Sequence, residues 1–331
     1  MALSNTSSLT RFRRYAWGVL AFNVLVILWG AVVRATGSGA GCGDHWPLCD
    51  GHVIPPAPAL ATFIELFHRL TSGLALILVA VMWIAARRIF TPGHRARRFV
   101  SISLTLIVVE SLIGAFIVLQ SLTGMDDSAL RAVVIAVHQA NTLFLLGAIT
   151  LTVWLADRTE DGVDAHITPP RALRLLLAIG VGGLILLDAT GAITALGDTL
   201  FRPDTFEAGW QAKFSPTAHF LVRLRVVHPA IAVLMGLYVI ATAWRAYQYA
   251  SDAPSRRLAG ALTTLFFVQC AVGMLNVILL APTWMQIVHL LLADAVWIIF
   301  VLLAANILAP QADRTVAQQS VPAASPALTA K

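Results

Sequence analysis

The stretch FIELFHRLTSGLALILVAVMWIAA at residues 63–86 is one continuous apolar run interrupted by very few polar groups. Continuous hydrophobicity over this length is typical of a membrane-spanning helix, whereas a transmembrane strand alternates apolar and polar residues. Two ionisable residues, Glu65 and His68, lie near its beginning, and burying such groups in a bilayer is costly. The stretch therefore predicts a membrane helix with functional groups near one end.

The rest of the chain repeats this pattern. Of the 331 residues, 58% are hydrophobic and 12% are charged, about half of the roughly 25% charged residues in soluble domains. With a mean hydropathy of +0.79, this composition excludes a soluble enzyme, a disordered protein and a nucleic-acid binder, despite the net charge of +6. The apolar runs are 15–33, 63–86, 98–121, 131–155, 172–193, 218–244, 257–281 and 285–309. They predict an all-α polytopic membrane protein with eight transmembrane helices.

Positive charge orients the predicted helices. Placing the N-terminus in the cytoplasm puts most of the 23 lysine and arginine residues in inside segments. Both termini are therefore predicted to be cytoplasmic, in a cell membrane. The first apolar run lacks a small-residue cleavage site after it, which favours an uncleaved span over a signal peptide.

The chain reads as a tandem duplication. His68 and His228 lie 160 positions apart, Glu110 and Gln269 lie 159 apart, and His138 and His289 lie 151 apart. Two four-helix bundles of even span count share one orientation, so they should be related by a pseudo-two-fold axis along the membrane normal. The predicted organisation is an N-terminus 1–14, an N-terminal half 15–156, a cytoplasmic linker 157–170, a C-terminal half 171–309 and a disordered tail 310–331.

Four histidines are expected at one depth in the outer part of the membrane: His68, His138, His228 and His289. Any one of them could be a hydrogen-bonded packing residue. A matched pair in each half instead favours axial ligation of haem iron, with two facing helices placing imidazoles on opposite sides of the ring. Zinc or copper is a further alternative, but the carboxylate and sulfur ligands usual at such sites are scarce.

Glu65 lies three residues before His68, so the two side chains share one helix face. The corresponding residue in the second half is Arg225. An acid beside one haem suits proton transfer or stabilisation of positive charge, and an arginine beside the other suits pairing with a haem propionate. The alternative for Glu65 is an acid that is favoured near a helix N-terminus.

The first outside loop contains Cys42 and Cys49. On the oxidising side of the membrane a disulfide is expected. Free thiols, or a metal site that includes His45, remain alternatives.

Together these features resemble the haem A synthase family. The resemblance covers about residues 15–309 and rests on the loop 34–49, the motif Glu65-x-x-His68-Arg69 and the other three intramembrane histidines. It implies oxidation of a haem O methyl group to a formyl group, giving haem A for terminal oxidases. It also implies a Cys42–Cys49 pair, an essential Glu65, and iron ligation by the histidines. Some bacterial members have a second cysteine pair, which is absent between Thr194 and Thr217.

The resemblance further implies that His68 and His138 hold the substrate haem and that His228 and His289 hold a haem b cofactor. Arg225 is expected at a haem propionate. Arg34, Arg69 and Arg223 either make similar contacts or anchor helix ends at the headgroups. Expected partners are haem O, the lipid bilayer, the upstream haem O synthase and oxidase assembly factors; a homo-oligomer is also open. Two other functions remain: a di-haem cytochrome that only relays electrons, and a haem transporter.

Overall fold

The computed structural model describes residues 2–156, 166–309 and 311–312, and this part of the chain is overwhelmingly helical. Eight helices within it are long and apolar enough to cross a membrane, which confirms the predicted all-α polytopic fold. The helices are α1 Ala2–Ala35, α2 Leu60–Ile89, α3 Arg95–Leu119, α4 Ala129–Ala156, α5 Arg171–Leu200, α6 Phe206–Phe214, α7 Phe220–Leu224, α8 Val227–Tyr249, α9 Ala253–Ile278 and α10 Thr283–Leu308. Two short strands, β1 His166–Ile167 and β2 Gln311–Ala312, pair antiparallel.

Helices α1, α4, α5 and α10 form the centre of the molecule, where each half contacts the other. The core between them is built from side chains such as Leu146, Ile149 and Phe300, which are fully buried. Gly180 on α5 directly faces the ring of Phe300, and a Cβ there would collide with that ring. A small residue on α5 thus lets two central helices approach closely, as is common in membrane helix packing.

The first helix is longer than the predicted span 15–33, because α1 begins at Ala2. No glycine or proline interrupts residues 2–17, so the helix continues past the apolar run. Phe12 and Ala16 are buried, and Phe12 packs edge-to-face on Phe90 with ring centres 5.1 Å apart. The polar start of the chain is therefore partly anchored by packing against the end of α2.

The sixth predicted span, 218–244, is divided into α7 and α8 by a break at Arg225 and Val226. Pro229 explains the break, because it has no amide hydrogen to donate to the carbonyl of residue 225 and its ring crowds that turn. Proline is tolerated in the first turn of α8, where amide groups lack helical partners anyway. The matching position in α2 is Arg69, and α2 is continuous there.

Equivalent hydrogen bonds appear in the two halves. The hydroxyl of Tyr15 on α1 donates to the carbonyl of Leu78 on α2 over 2.8 Å. The matching residues in the second half are Leu176 and Tyr238, and there the hydroxyl of Tyr238 donates to Leu176 over the same distance. The same contact between two helices is thus present in both halves. The tyrosine lies on the first helix of the pair in one half, α1, and on the second helix of the pair in the other half, α8. A duplication predicts such a matched contact.

Parts of the predicted domain organisation lie outside the described residues. These are most of the linker, at residues 157–165, and the tail at residue 310 and residues 313–331. Within the described residues, β1 follows the first of these gaps and pairs with β2 after α10. The ends of the two halves therefore meet on the side of the molecule where the inside segments are predicted.

Candidate functional site: two histidine pairs

Cys42 and Cys49 form the expected disulfide, and both are completely buried. The loop that they close lies on the first turns of α2. Gly41 approaches that helix so closely that a Cβ would lie 2.5 Å from the carbonyl carbon of Ala61. The hydroxyl of Thr62 donates to the carbonyl of Gly41 over 2.7 Å. The disulfide loop is therefore fixed directly above the helix that carries His68.

Glu65 and Arg69 join this loop to α2. One carboxylate oxygen of Glu65 accepts a 2.8 Å hydrogen bond from the backbone amide of Cys42, and the other is ion-paired with Arg69. Arg69 also donates to the carbonyls of His45 and Leu48, at 2.6 and 2.7 Å. Glu65 is only 3% exposed. Sequence reasoning paired Glu65 with His68 alone and missed this network, although the i, i+4 spacing of Glu65 and Arg69 was a signal for it.

His68 packs against a glycine on the neighbouring helix. A Cβ at Gly30 would lie 3.0 Å from Cε1 of the His68 ring, so a larger residue would displace the imidazole. Nδ1 of His68 is buried and makes no hydrogen bond with the described residues. His138 lies on α4 of the same half.

Glu110 belongs to this first site, which the sequence did not indicate. Its carboxylate lies 3.3 Å from Nδ1 of His138 and accepts hydrogen bonds from Asn141 and Thr142 on α4. Glu110 and its repeat partner Gln269 both make hydrogen bonds between helices. The available signal was their matched position, 159 residues apart.

The second site is built in the same way. A Cβ at Gly191 would lie 3.0 Å from the His228 ring, and one at Gly273 would lie 2.9 Å from the His289 ring. Nδ1 of His228 is 3.1 Å from the carbonyl of Leu187. The side-chain amide of Gln269 donates to the carbonyl of His289 over 3.0 Å and lies 3.4 Å from its Nε2.

The second histidine pair has dimensions that fit haem. The ring centres of His228 and His289 are 6.4 Å apart and the rings are perpendicular. An imidazole–metal bond of about 2 Å on each side of one iron gives ring centres about 6 Å apart. With Nδ1 of His228 engaged by a backbone carbonyl, its Nε2 is the atom left for a ligand, a common arrangement at metal-binding histidines.

Within residues 2–156, 166–309 and 311–312, no three histidine, cysteine or acidic side chains cluster as a metal site would require. A haem needs only two protein ligands, since the ring supplies the other four nitrogens. His68 and His289 keep a buried Nδ1 without a hydrogen-bond partner among the described residues, whereas Nδ1 of His138 lies 3.3 Å from the Glu110 carboxylate. The donor set therefore fits a haem better than a bare metal ion.

The predicted propionate arginines occupy different environments. Arg225 is 4% exposed; it lies 2.9 Å from Asp198 and donates to the carbonyls of Gly197 and Phe201. Arg223 is exposed on α7. Arg69 donates hydrogen bonds to carbonyls of the disulfide loop.

Arg34 connects the two halves. From α1 it donates to the carbonyl of Ala195 over 2.7 Å and to the hydroxyl of Thr199 over 2.9 Å, both on α5. It also donates to Gln286 on α10 over 3.0 Å. These contacts place Arg34 at the end of the interface between the bundles that is predicted to face outward.

Two further carboxyl groups lie between the halves and were not assigned to the site from sequence. Asp188 on α5 accepts a 2.7 Å hydrogen bond from Gln139, the neighbour of His138. Asp294 on α10 is 1% exposed, and neither of its oxygens has a hydrogen-bond partner among the described residues. A carboxyl group without partners in an apolar interior is expected to be uncharged.

The chain is 48% identical over 309 residues to a Thermus thermophilus protein named protoheme IX farnesyltransferase, covering 93% of this chain and 50% of that protein. The chain thus spans about half the length of this relative. It is 26% identical over 252 residues to a haem A synthase of Exiguobacterium sibiricum, covering 76% and 79% of the two chains. It is 32% identical over 157 residues to a haem A synthase of Bacillus mycoides, covering 47% and 48%.

The family described as COX15-CtaA, cytochrome oxidase assembly protein, matches residues 13–301. The match begins in α1 and ends in α10, so it includes both histidine pairs, the disulfide loop and Glu65. Because it covers most of the chain, this membrane protein belongs to the COX15-CtaA family of cytochrome oxidase assembly proteins.

Proposed function

We propose that the protein is a haem A synthase, a membrane oxidoreductase that converts a methyl group of haem O into the formyl group of haem A. One observation carries the proposal: two equivalent histidine sites differ in their acidic groups. Glu65 and Glu110 stand beside the first pair, whereas Arg225 and Gln269 occupy the matching positions beside the second. A reactive site and an electron-transfer site require such a difference.

In this proposal His68 and His138 hold the substrate haem, and His228 and His289 hold a haem b cofactor. The iron of these groups supplies the redox chemistry when they are bound. Glu65 is held by Arg69 and the amide of Cys42 on the helix that bears His68, so its carboxylate is fixed in place. There it stabilises positive charge or accepts a proton during oxidation of the methyl group. Glu110 fixes the orientation of the His138 ring.

The proposed setting is a cell membrane with both termini in the cytoplasm and both histidine pairs near the outer face. Haem O would come from a haem O synthase. The Thermus relative supports an association with that activity, since the region like this chain covers half of a protein named for farnesyl transfer to protohaem.

The direct test is co-expression with a source of haem O, followed by measurement of haem A by mass spectrometry. The expected result is haem A with the wild-type protein and its loss with Glu65→Gln at equal protein level. Consistent absence of haem A from the wild type would overturn the proposal.

A di-haem electron relay is the second candidate, because the separation of the His228 and His289 rings suits a firmly held redox haem. Pigment extraction distinguishes the two. A relay would contain haem b alone, whereas the synthase would also contain haem O or haem A.

A further inference from the structure

An apolar groove of about 310 Å³ lies on the membrane face of the first half, between α1 and α2, and reaches Ile287 of α10. Its walls include Phe22, Leu25 and Trp29 of α1 and Phe67 of α2. Thr71, a polar residue on its wall, donates its hydroxyl to the carbonyl of Phe67 over 2.8 Å. The groove therefore offers a ligand almost purely apolar surface.

The groove adjoins the first histidine pair. Trp29 and Phe67 form one wall in edge-to-face contact with ring centres 4.8 Å apart, and the indole of Trp29 is fixed by a 3.0 Å hydrogen bond to Ile64. Trp29 is followed by Gly30 and Phe67 is followed by His68, and Gly30 packs against the ring of His68. The groove wall therefore lies one residue away from the His68 contact on both α1 and α2.

The matching positions of the second half are not aromatic. The repeat offset of 161 between α1 and α5 pairs Phe22 with Gly183 and Trp29 with Thr190, and the offset of 160 pairs Phe67 with Val227. At Gly183 the space is taken by the side chain of Met235. The aromatic wall therefore belongs to one half only.

We propose that this groove binds the farnesyl-derived tail of the substrate haem and so distinguishes haem O from protohaem. The inference rests on the proposed function, because that function places haem O in the first half and a haem without such a tail in the second. A fifteen-carbon isoprenoid chain is apolar and enters from the membrane. Because lipid is as apolar as the groove, the tail is held there by close packing against the aromatic wall and not by transfer out of water. The aromatic wall lies in the first half, where the proposed function places haem O.

Leu25→Trp tests the groove directly. Leu25 is 62% exposed, so an indole there fills the groove without disturbing the core. Leu186 is the repeat equivalent, is 55% exposed on α5, and serves as the matched control as Leu186→Trp. The proteins are purified in detergent with haem b already bound in the second half, so that added haem reports on the first half. They are then titrated with haem O and, separately, with protohaem, and binding is followed by optical absorption without turnover.

The expected result is a loss of haem O affinity of roughly tenfold or more in Leu25→Trp. Protohaem affinity should stay unchanged in that variant, and both affinities should stay unchanged in Leu186→Trp. An equal effect on both haems, no effect on haem O, or the same effect in the control would overturn the tail site. Leu25→Phe repeats the test with a smaller intrusion if Leu25→Trp fails to accumulate. Because binding is measured separately from conversion, failure to make haem A would count against the proposed function and not against the groove.

Discussion

At the scale of single residues, the first site depends on ionisable groups that satisfy one another inside the membrane. Glu65 is costly to bury alone, and its partners are Arg69 and the amide of Cys42. Asp294 illustrates the opposite solution, since it has no hydrogen-bond partner among the described residues and is expected to be uncharged. The same residue type is thus stabilised in two ways that follow from its neighbours.

Removing one member of the Glu65–Arg69 pair should be more harmful than removing both charges. Arg69→Gln leaves a buried carboxylate unpaired, which typically costs about 3 kcal/mol or more. The double variant Glu65→Gln with Arg69→Gln should regain much of that stability, although not activity. Thermal unfolding in detergent measures both. An equal loss of thermal stability in the single and double variants would show that the ion pair does not stabilise the protein.

Asp294→Asn should leave stability unchanged or slightly raised, because an uncharged carboxyl group is replaced by a neutral group of the same shape. Asp294→Lys, which places a charge in the same apolar interior, should be strongly destabilising. Thermal unfolding curves in detergent measure the stability of the two variants against the wild type. A large loss in Asp294→Asn would reveal a partner that requires the carboxylate.

At the scale of elements, glycines set the distance between each histidine and the helix beside it. An imidazole ring lies close to each of three glycines, Gly30, Gly191 and Gly273. A Cβ at any of these positions would press against the ring. Gly114, the counterpart of Gly273, has open space around the position of a Cβ. The two halves therefore differ in how tightly the second histidine is held.

This difference predicts unequal effects of one substitution. Gly273→Ala should displace the ring of His289 and change the absorption spectrum of haem bound in the second half. Gly114→Ala should leave the spectrum of haem in the first half unchanged, because nothing lies within 4 Å of the added methyl group. Spectra of the purified variants provide the test, and matching shifts in both would contradict it.

The disulfide loop covers the first turns of α2, and the amide of Cys42 in this loop binds Glu65. Loss of the disulfide should therefore loosen the position of the Glu65 carboxylate. Replacing Cys42 and Cys49 by serine frees a loop of sequence separation 7, which costs about 2 kcal/mol by chain entropy. Haem binding at His68 should weaken more than binding at His228, because only the first half contains the loop. Optical titration of the double variant measures this, and an equal change at both sites would argue against a local role.

At the scale of the whole molecule, the halves are joined by helices α1, α4, α5 and α10. Arg34 contacts Ala195, its own repeat equivalent, and such a contact is expected close to a two-fold axis. The axis itself remains a proposal that this contact supports.

Arg34→Gln should lower the stability of the whole protein by about 2 kcal/mol, because charge-assisted hydrogen bonds to both α5 and α10 are lost. Arg223→Gln is the control, since Arg223 is an exposed arginine on the same outer side. Melting temperatures in detergent compare the two. Equal melting temperatures would mean that Arg34 does not hold the halves together.

The eight spans and the Cys42–Cys49 disulfide were predicted from the sequence and are confirmed by the structure, because hydrophobic length and two cysteines in one loop are features that the chain carries locally. The duplication and the haem-ligand role of the four histidines follow from the repeat spacing and stay predictions. The sequence also indicated Glu65 as the residue that distinguishes the halves. Only the tertiary structure placed Glu110 beside His138, tied Arg69 to the disulfide loop, set Arg34 across the interface and opened the groove beside His68. Those contacts join residues that are distant in the chain or lie on different helices, and the rotation of each helix, which decides them, is fixed by packing against its neighbours.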